Sequence, residues 1–290
     1  EVSVLTESMK KMDEFLEKPR EFPEKKTVLD FYFALRNFLN IYDLVDDHYV
    51  IYSQMTEEDQ FRIRLFCVDP SVNLQKCIDK SNSTIFFSAT LLPIGYYKRL
   101  LSTDEDNYAI YAQSTFAQTQ RLLAFGRDVS TKYTRRNRKE YEKIADYIGA
   151  VTEAQQGNYM VFFPSYRLMQ DVYEVFAGKA ADSCEILMQH SNMKEHEREA
   201  FLEEFEHERE RTLVAFCVMG GIFGEGIDLK NDRLIGAIIV GTGLPQVSDE
   251  REILKNYYDE RGLSGFDYAF RYPGMNKVLQ AAGRVIRTSE

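Results

Sequence analysis

The residue types best suited to chemistry in this sequence lie close to its last residue, in the run QAAGRVIR. Gln280, Arg284 and Arg287 are spaced by four and three residues, so a helix over this segment would place all three on one face. Two guanidinium groups and an amide on one face suit a triphosphate, because arginine binds phosphate oxygens and stabilises the charge that develops during phosphoryl transfer. A solvated basic helix face is the alternative, since arginine is common on protein surfaces.

A second candidate is the glycine-rich segment GGIFGEGID at residues 220–228, which follows the apolar run TLVAFCVM. Glycine lets backbone N–H groups approach an anion or a sugar closely. The carboxylates of Glu225 and Asp228 can accept hydrogen bonds from hydroxyl groups. A tight turn between two strands would use the same glycines, so this segment indicates a ligand loop only together with its neighbours.

Two further segments have residue types suited to phosphate or nucleic acid. Ser88, Ala89 and Thr90 follow the apolar run TIFF. Small hydroxyl side chains at a strand end can bond phosphate oxygens or water, although such residues also cap ordinary helices. The basic stretch KYTRRNR at residues 132–138 places Tyr133 among lysine and arginine side chains, which suits phosphate contact with base stacking. A solvated loop is the alternative for that stretch.

Short apolar runs that alternate with helical segments must position these loops. TIFFS, YMVFF, CEILM, TLVAF and LIGAIIV predict buried strands, and residues 166–178 and 194–208 carry apolar residues at helical spacing. This alternation predicts βαβ units and a parallel sheet covered by helices on both faces. Ligands bind at the carboxyl ends of the strands in such sheets, so we expect the chemistry in the loops that follow the apolar runs.

The N-terminal part of the chain has a different pattern. Residues 1–45 predict two helices, interrupted by the proline-containing segment KPREFPEKK. Residues 48–55 and 61–68 alternate apolar and polar side chains, which indicates an antiparallel strand pair. Residues 102–139 are the most linker-like region of the chain.

The composition favours a folded globular protein and limits its partners. The chain has 290 residues, with 36 Lys and Arg against 46 Asp and Glu and a formal net charge of -10. This acidic balance argues against a general polyanion-coating protein but not against a local basic groove. No apolar stretch approaches the ~20 residues of a membrane span. The first residues carry no apolar signal-peptide core and no initiator Met. The four cysteines do not have the spacing of metal ligands. We therefore expect a cytoplasmic protein without membrane contact, disulfides or a metal site, excised from a longer chain.

Four segments of the sequence together resemble the helicase motifs of superfamily 2, in particular those of the DinG/XPD-like family of DNA helicases. SATLLP resembles motif III, VFFPSY motif IV, GGIFGEGIDL motif V and QAAGRVIR motif VI. The resemblance implies an α/β fold in which residues 106–290 form a RecA-like parallel sheet flanked by helices, the second helicase motor domain. Residues 1–105 would hold N-terminal helices and an antiparallel strand pair from the end of the first motor domain. The runs LMQHSNMKEHEREAFLEEF and VGTGLP are similar to DinG-like proteins of bacteria, which implies a bacterial source.

The resemblance also implies roles for candidate residues. A motor of this family holds ATP between two RecA-like lobes and moves 5′ to 3′ along single-stranded DNA. Gln280, Arg284 and Arg287 would be catalytic, with the arginines as fingers to the ATP γ-phosphate. The residues implied in ATP binding and coupling are Ser88, Ala89, Thr90, Gly224, Glu225, Gly226 and Asp228. The resemblance implies that Ser165 and Tyr166 lie near the DNA backbone. The other DNA-binding candidates come from the composition of the basic stretch, and they are Lys132, Tyr133, Arg135 and Arg136.

Two absences in the sequence limit what this chain is expected to do alone. It contains no GxxxxGK[ST] phosphate loop and no DEAH-like acidic box, so we expect an N-terminal lobe to hold ATP and Mg²⁺ and the isolated chain to be inactive as an ATPase. The iron-sulfur cysteines of the family, where present, lie in that same lobe, so no cluster is expected in this chain. A stand-alone single-stranded nucleic-acid-binding module without ATPase activity is the alternative. An oxidoreductase is disfavoured, because neither GGIFGEG nor GTG supplies a GxGxxG that opens a helix.

Overall fold

The computed structural model describes residues 2–17, 21–56, 58–114, 116–117, 119, 121–180, 183–223, 229 and 231–286. The chain divides into two compact units. One unit comprises Glu1–Phe87 and Ile94–Tyr108, and the other comprises Ser88–Pro93 and Ala109–Glu290. The domain boundary after residue 105 stays a prediction.

The first unit is built from helices and one strand pair, as predicted. Its elements are α1 (Val2–Leu16), α2 (Lys25–Tyr42), β1 (Tyr49–Met55), β2 (Phe61–Cys67), α3 (Ser71–Ile78) and α4 (Ile94–Leu101). Helices α1 and α2 pack through Met9, Tyr32 and Leu35, and the Tyr32 hydroxyl donates a 2.6 Å hydrogen bond to Asp13. Strands β1 and β2 pair antiparallel, from Tyr49 opposite Cys67 to Met55 opposite Phe61.

The second unit is a parallel sheet with the strand order β4-β5-β3-β6. The apolar runs YMVFF, CEILM, TLVAF and LIGAIIV supply these strands, which confirms four of the five strand predictions. The elements in chain order are α5 (Arg138–Ala154), β3 (Asn158–Phe163), α6 (Tyr166–Ala180), β4 (Cys184–Met188), α7 (Glu195–Glu203), β5 (Thr212–Val218), β6 (Gly236–Ile239), α8 (Asp249–Glu260) and α9 (Tyr272–Ala282).

Helices cover both faces of this sheet because successive residues of each strand point to opposite faces. Val161 and Phe163 of β3 pack in a core with residues of α5 and α6, including Ile148 and Phe176. Met160 and Phe162 face the other way, into a second core with Phe201 of α7 and Ala281 of α9. Every residue of β3 is buried, as expected for a central strand of a doubly covered parallel sheet.

The strand predicted for TIFF is absent from the fold. Residues 83–88 have no regular structure, and the side chains of Ile85 and Phe87 are 82% and 89% exposed. A strand needs a neighbour for its backbone N–H and C=O groups, and this run has no pairing strand among the described residues. The prediction of a buried strand at this position is therefore wrong.

The linker-like region matches its sequence pattern more closely. From residue 102 to residue 132 the described residues form no α-helix and no strand. Across the part of the chain that the structure describes, no helix is long and apolar enough to cross a membrane.

Candidate functional site

The carboxyl edge of the parallel sheet collects the loops that the motifs supply. In a parallel sheet all strands end at the same edge, so the residues after β3, β4, β5 and β6 become neighbours. Two backbone bonds continue the ladder to that edge: Met219 N–H donates to the Phe163 carbonyl at 2.8 Å, and Val240 N–H donates to the Phe162 carbonyl at 2.9 Å. The loops after β5 and β6 therefore both begin beside the end of β3.

Ser165 and Tyr166 lie at this edge, directly after β3. The Ser165 hydroxyl accepts a 3.4 Å hydrogen bond from the Leu168 N–H, so this side chain caps α6. Tyr166 is the first residue of α6, and its side chain is 40% exposed. The Tyr166 hydroxyl turns inward and accepts a 2.9 Å hydrogen bond from the side-chain amide of Gln189, while burial raises the pKa of Tyr166. Tyr166 thus presents part of its ring to solvent and keeps its polar end in the protein.

The basic stretch after residue 131 lies at the end of β6. Gly241 has a φ of 89°, and a Cβ atom at that position would lie 2.6 Å from the Thr131 hydroxyl, so a glycine is required for this close approach. Lys132 and Tyr133 follow directly, and the Tyr133 side chain is 76% exposed. The guanidinium carbon of Arg136 lies 5.7 Å from the centroid of the Tyr133 ring, and the Arg136 Nε donates to the Thr131 carbonyl at 3.1 Å.

Arg135 makes a different contact from its neighbours. Its guanidinium lies 2.6 Å from the carboxylate of Glu140, which also accepts a 3.0 Å hydrogen bond from the Ser130 N–H. The hydrogen bond from Arg135 lowers the pKa of Glu140. Glu140 stands in the first turn of α5, and the Asn137 side chain caps that helix. The carboxylate of Glu140 therefore ties the basic stretch to the start of α5, a contact that sequence reasoning missed.

Helix α9 carries Gln280 but ends before Arg284. The helix stops at Ala282, and the Gly283 and Arg284 N–H groups continue with bonds to Leu279 at 2.9 Å and to Ala281 at 3.2 Å. Gly283 is the C-terminal cap, which fits its low helix propensity. The prediction of one helix face for Gln280, Arg284 and Arg287 is therefore wrong for Arg284, which lies in the turn after the helix. Arg287 lies outside the described residues.

Close glycine contacts seat α9 against the same edge of the sheet. A Cβ atom on Gly274 would lie 2.9 Å from the Thr242 carbonyl oxygen and 2.9 Å from the Leu244 side chain. Gly243 has a φ of 60°, and a Cβ atom at that position would lie 3.3 Å from the Gly274 carbonyl oxygen. The first turn of α9 therefore packs directly on the loop after β6, and this contact fixes where the helix begins.

Lys277 of α9 is a further side chain at this edge that the sequence analysis did not single out. Its Cε lies 3.2 Å from the position that a Cβ atom on Gly220 would occupy, and Gly220 has a φ of 68°. The stem of Lys277 thus crosses the turn after β5. The only sequence signal was its position three residues before Gln280.

The remaining candidates divide into described and undescribed residues. Ser88 and Thr90 contact each other through their hydroxyls at 3.2 Å, and the Thr90 N–H donates to the Ser88 hydroxyl at 3.2 Å. This is a local turn rather than a strand end, and Ala89 lies within it. Gly224, Glu225, Gly226 and Asp228 lie outside the described residues. Among the residues that are described, no group of three His, Cys, Asp or Glu side chains could hold a metal ion.

The C-terminal half of the chain matches a known protein family. Residues 148–290 match the family model of the helicase C-terminal domain. This match spans the sheet, the loops at its carboxyl edge and α9. The resemblance to XPD- and DinG-like superfamily 2 helicases, predicted from four motifs, is confirmed by this domain and by the relatives that follow.

Individual relatives are also helicases by name. The chain is 25% identical over 236 residues to the ATP-dependent DNA helicase XPD of Sulfolobus acidocaldarius, which covers 77% of this chain and 40% of that protein. It is 24% identical over 283 residues to a probable ATP-dependent helicase of Methanocaldococcus jannaschii, covering 92% of this chain and 41% of the relative. The chain thus spans about 40% of the length of these two relatives. Both are archaeal, so they do not support the bacterial origin predicted from the sequence.

A solved structure shows the same fold. The structure described as XPD_APO matches with a TM-score of 0.56 at 19% sequence identity, covering 92% of this chain and 56% of that one. This likeness shows the fold alone. The parallel sheet flanked by helices is thereby confirmed as the RecA-like fold that the resemblance implied.

Proposed function

We propose that this chain is the C-terminal motor lobe of an ATP-dependent DNA helicase. The observation that carries the proposal is a convergence at one sheet edge. Tyr166 and helix α9, both within the residues that match a helicase C-terminal domain, meet there with the basic stretch at Lys132 and Tyr133, which precedes that match. Aromatic rings and cations together suit single-stranded nucleic acid, and the arginines after α9 suit a triphosphate. A second lobe supplies the phosphate loop that this sequence lacks.

In this proposal the nucleotide is shared between two lobes. Gln280, Arg284 and Arg287 contact the γ-phosphate of ATP, and the arginines stabilise the charge that develops as the phosphoryl group leaves. Mg²⁺ is held by the other lobe, which supplies the acidic box that this sequence lacks. ATP draws the lobes together, hydrolysis releases them, and repeated closure moves the protein 5′ to 3′ along one strand.

The DNA contacts fall into two kinds. The exposed side chains of Tyr166 and Tyr133 stack on bases. Such stacking tolerates any sequence because every base has a π-face. Lys132 and Arg136 contact phosphates. Arg135 is paired with Glu140, so we assign it to positioning the basic stretch rather than to phosphate contact.

Lys132 and Arg135 provide a matched test of these assignments. A plot of log affinity for single-stranded DNA against log salt concentration has a negative slope. Lys132→Ala is expected to make this slope less negative by about 0.7, since one phosphate contact is lost. Arg135→Ala is expected to leave that slope unchanged and to lower the melting temperature, because the Glu140 carboxylate loses its partner. Fluorescence anisotropy with oligo-dT at several salt concentrations measures both slopes. An equal loss of slope in the two variants would show that Arg135 contacts phosphate.

A stand-alone nucleic-acid-binding module is the second candidate, supported by the exposed Tyr133 beside Lys132 in the basic stretch and by Tyr166 after β3. It predicts the same salt-dependent binding to single strands but no hydrolysis of ATP by the full-length protein. The two functions are therefore separated by an ATPase assay of the full-length protein with single-stranded DNA.

A further inference from the structure

We propose that Gln189 is a positioning residue that links single-stranded DNA at Tyr166 to the turn that opens the glycine-rich segment. The proposal rests on the proposed function, because it takes Tyr166 as a DNA contact. It adds a residue to which neither the motifs nor the comparisons give a role. The ligand class is a nucleobase stacked on the Tyr166 ring.

Gln189 follows β4 and lies between the loops after β3 and β5. Its own N–H donates to the Phe216 carbonyl at 2.9 Å, which continues the pairing of β4 with β5 by one residue. Its side-chain oxygen accepts a 2.8 Å hydrogen bond from the Val218 N–H, and its side-chain nitrogen donates to the Tyr166 hydroxyl at 2.9 Å. The residue is only 2% exposed. One buried amide therefore bridges motif IV and the start of motif V.

The two ends of this amide are chemically different, which fixes its orientation. Val218 offers a backbone N–H, so the amide oxygen must face it, and the NH₂ group must then face Tyr166. Rotation of Tyr166 away from its position would leave a buried donor without its acceptor, and a shift of Val218 would leave the amide oxygen without its donor. The Gln189 amide thus stabilises the loop after β3 and the loop after β5 in the one arrangement in which both of its hydrogen bonds form.

The turn on the far side of Gln189 is tightly packed. The Gly221 N–H donates to the Val218 carbonyl at 3.2 Å, which closes the turn after β5. A Cβ atom on Gly221 would lie 3.2 Å from the Gln189 side-chain nitrogen, so the amide lies directly against this turn. The turn leads into residues 220–228, which carry the motif V glycines and carboxylates. A base that holds Tyr166 in place therefore also holds the Gln189 amide and the geometry of residues 218–221.

Two variants remove hydrogen bonds that the Gln189 side chain makes. Gln189→Leu keeps the approximate shape of the side chain but removes both hydrogen bonds, and Tyr166→Phe removes only the hydroxyl on the half-exposed side. Gln170→Leu is the matched control, since Gln170 is an exposed glutamine on α6 whose side chain donates to Glu174. All are made in the full-length protein and compared for melting temperature.

Two readouts separate positioning from a purely structural role. The first is anisotropy with oligo-dT and with an all-abasic oligonucleotide of equal length: Gln189→Leu and Tyr166→Phe are expected to lose about fivefold in affinity for oligo-dT and nothing for the abasic strand. The double variant is expected to be no worse than Gln189→Leu, because Gln189→Leu already breaks the hydrogen bond to Tyr166 that Tyr166→Phe removes. The second is hydrogen exchange of residues 218–221, which oligo-dT is expected to slow in the wild-type protein and in Gln170→Leu but not in the two bridge variants.

The outcomes distinguish this inference from the proposed function. Equal wild-type affinity for oligo-dT and the abasic strand would exclude base stacking at this surface, and it would overturn this inference together with the DNA contact proposed for Tyr166. A second outcome would overturn this inference alone. In it the wild-type protein prefers oligo-dT to the abasic strand, and Gln189→Leu and Tyr166→Phe show the same preference and the same protection from hydrogen exchange as the wild type. If Gln189→Leu does not fold, Tyr166→Phe decides by the same two readouts.

Discussion

Replacing Arg287 or Arg284 with alanine in the full-length protein is expected to lower DNA-stimulated ATP turnover by about 10³-fold or more while binding to single-stranded DNA persists. The size follows from the charge on the transferring phosphoryl group: an arginine finger contributes about 10³ to 10⁵ in rate. Steady-state phosphate release with saturating oligo-dT measures the turnover. Anisotropy on the same preparations measures DNA binding, which is proposed to depend on other residues.

A lysine at the same position and an arginine elsewhere serve as controls. Arg284→Lys keeps the charge but not the planar fork that binds two phosphate oxygens, so its turnover is expected to fall between those of the wild type and Arg284→Ala. Arg233→Ala removes an arginine whose partner is Glu206 at 2.6 Å, an exposed pair for which only a small effect is expected. Turnover of Arg287→Ala and Arg284→Ala within a few-fold of the wild type would contradict their assignment as fingers.

The second large effect is expected from Gly274→Ala, which changes no charged group. A methyl group at this position would lie 2.9 Å from the Thr242 carbonyl oxygen, a backbone atom, so α9 must move away from the loop after β6. The shift displaces Gln280 and Arg284, which are proposed to contact the γ-phosphate. Misplacement of catalytic groups by about 1 Å can cost 10²-fold in rate. We therefore expect turnover to fall by about that factor, measured as phosphate release with saturating ATP and oligo-dT.

Gly178→Ala is the matched control for this change. Gly178 lies in α6, and nothing lies within 4 Å of its Cβ position. Alanine has the higher helix propensity, so this variant is expected to be as stable as the wild type or slightly more stable, with full turnover. Equal turnover of Gly274→Ala and Gly178→Ala would show that the seating of α9 does not position the catalytic groups.

Hydrophobic pattern predicted most of the fold because the parallel sheet is buried on both faces. A strand such as β3 must be apolar at every position, and the helices between strands need one apolar stripe, so both appear in the sequence as distinct patterns. The antiparallel pair of β1 and β2 was equally predictable, because apolar and polar side chains alternate along both strands. TIFF shows the limit of this reasoning. Its composition is that of a strand, but a strand also requires a neighbour, which local sequence does not specify.

The site was predictable in its residue types more than in its contacts. Spacing placed Gln280 and Arg284 on one helix, but Gly283 ends the helix between them, and helix ends depend on packing as well as on propensity. Arg135 was grouped with its basic neighbours, since nothing in the run KYTRRNR shows that Glu140 contacts one arginine and not the next. Gln189 was missed because its partners, Tyr166 and Val218, lie more than twenty residues away on either side and meet only through the sheet.

The most direct test of the central claim compares ATP hydrolysis by the full-length protein and by this 290-residue chain alone, each with and without oligo-dT. If this chain is a motor lobe that completes an ATP site held by another lobe, the full-length protein will hydrolyse ATP with strong stimulation by single-stranded DNA, and the chain alone will show no measurable turnover. Robust hydrolysis by the chain alone, or none by the full-length protein, would contradict it.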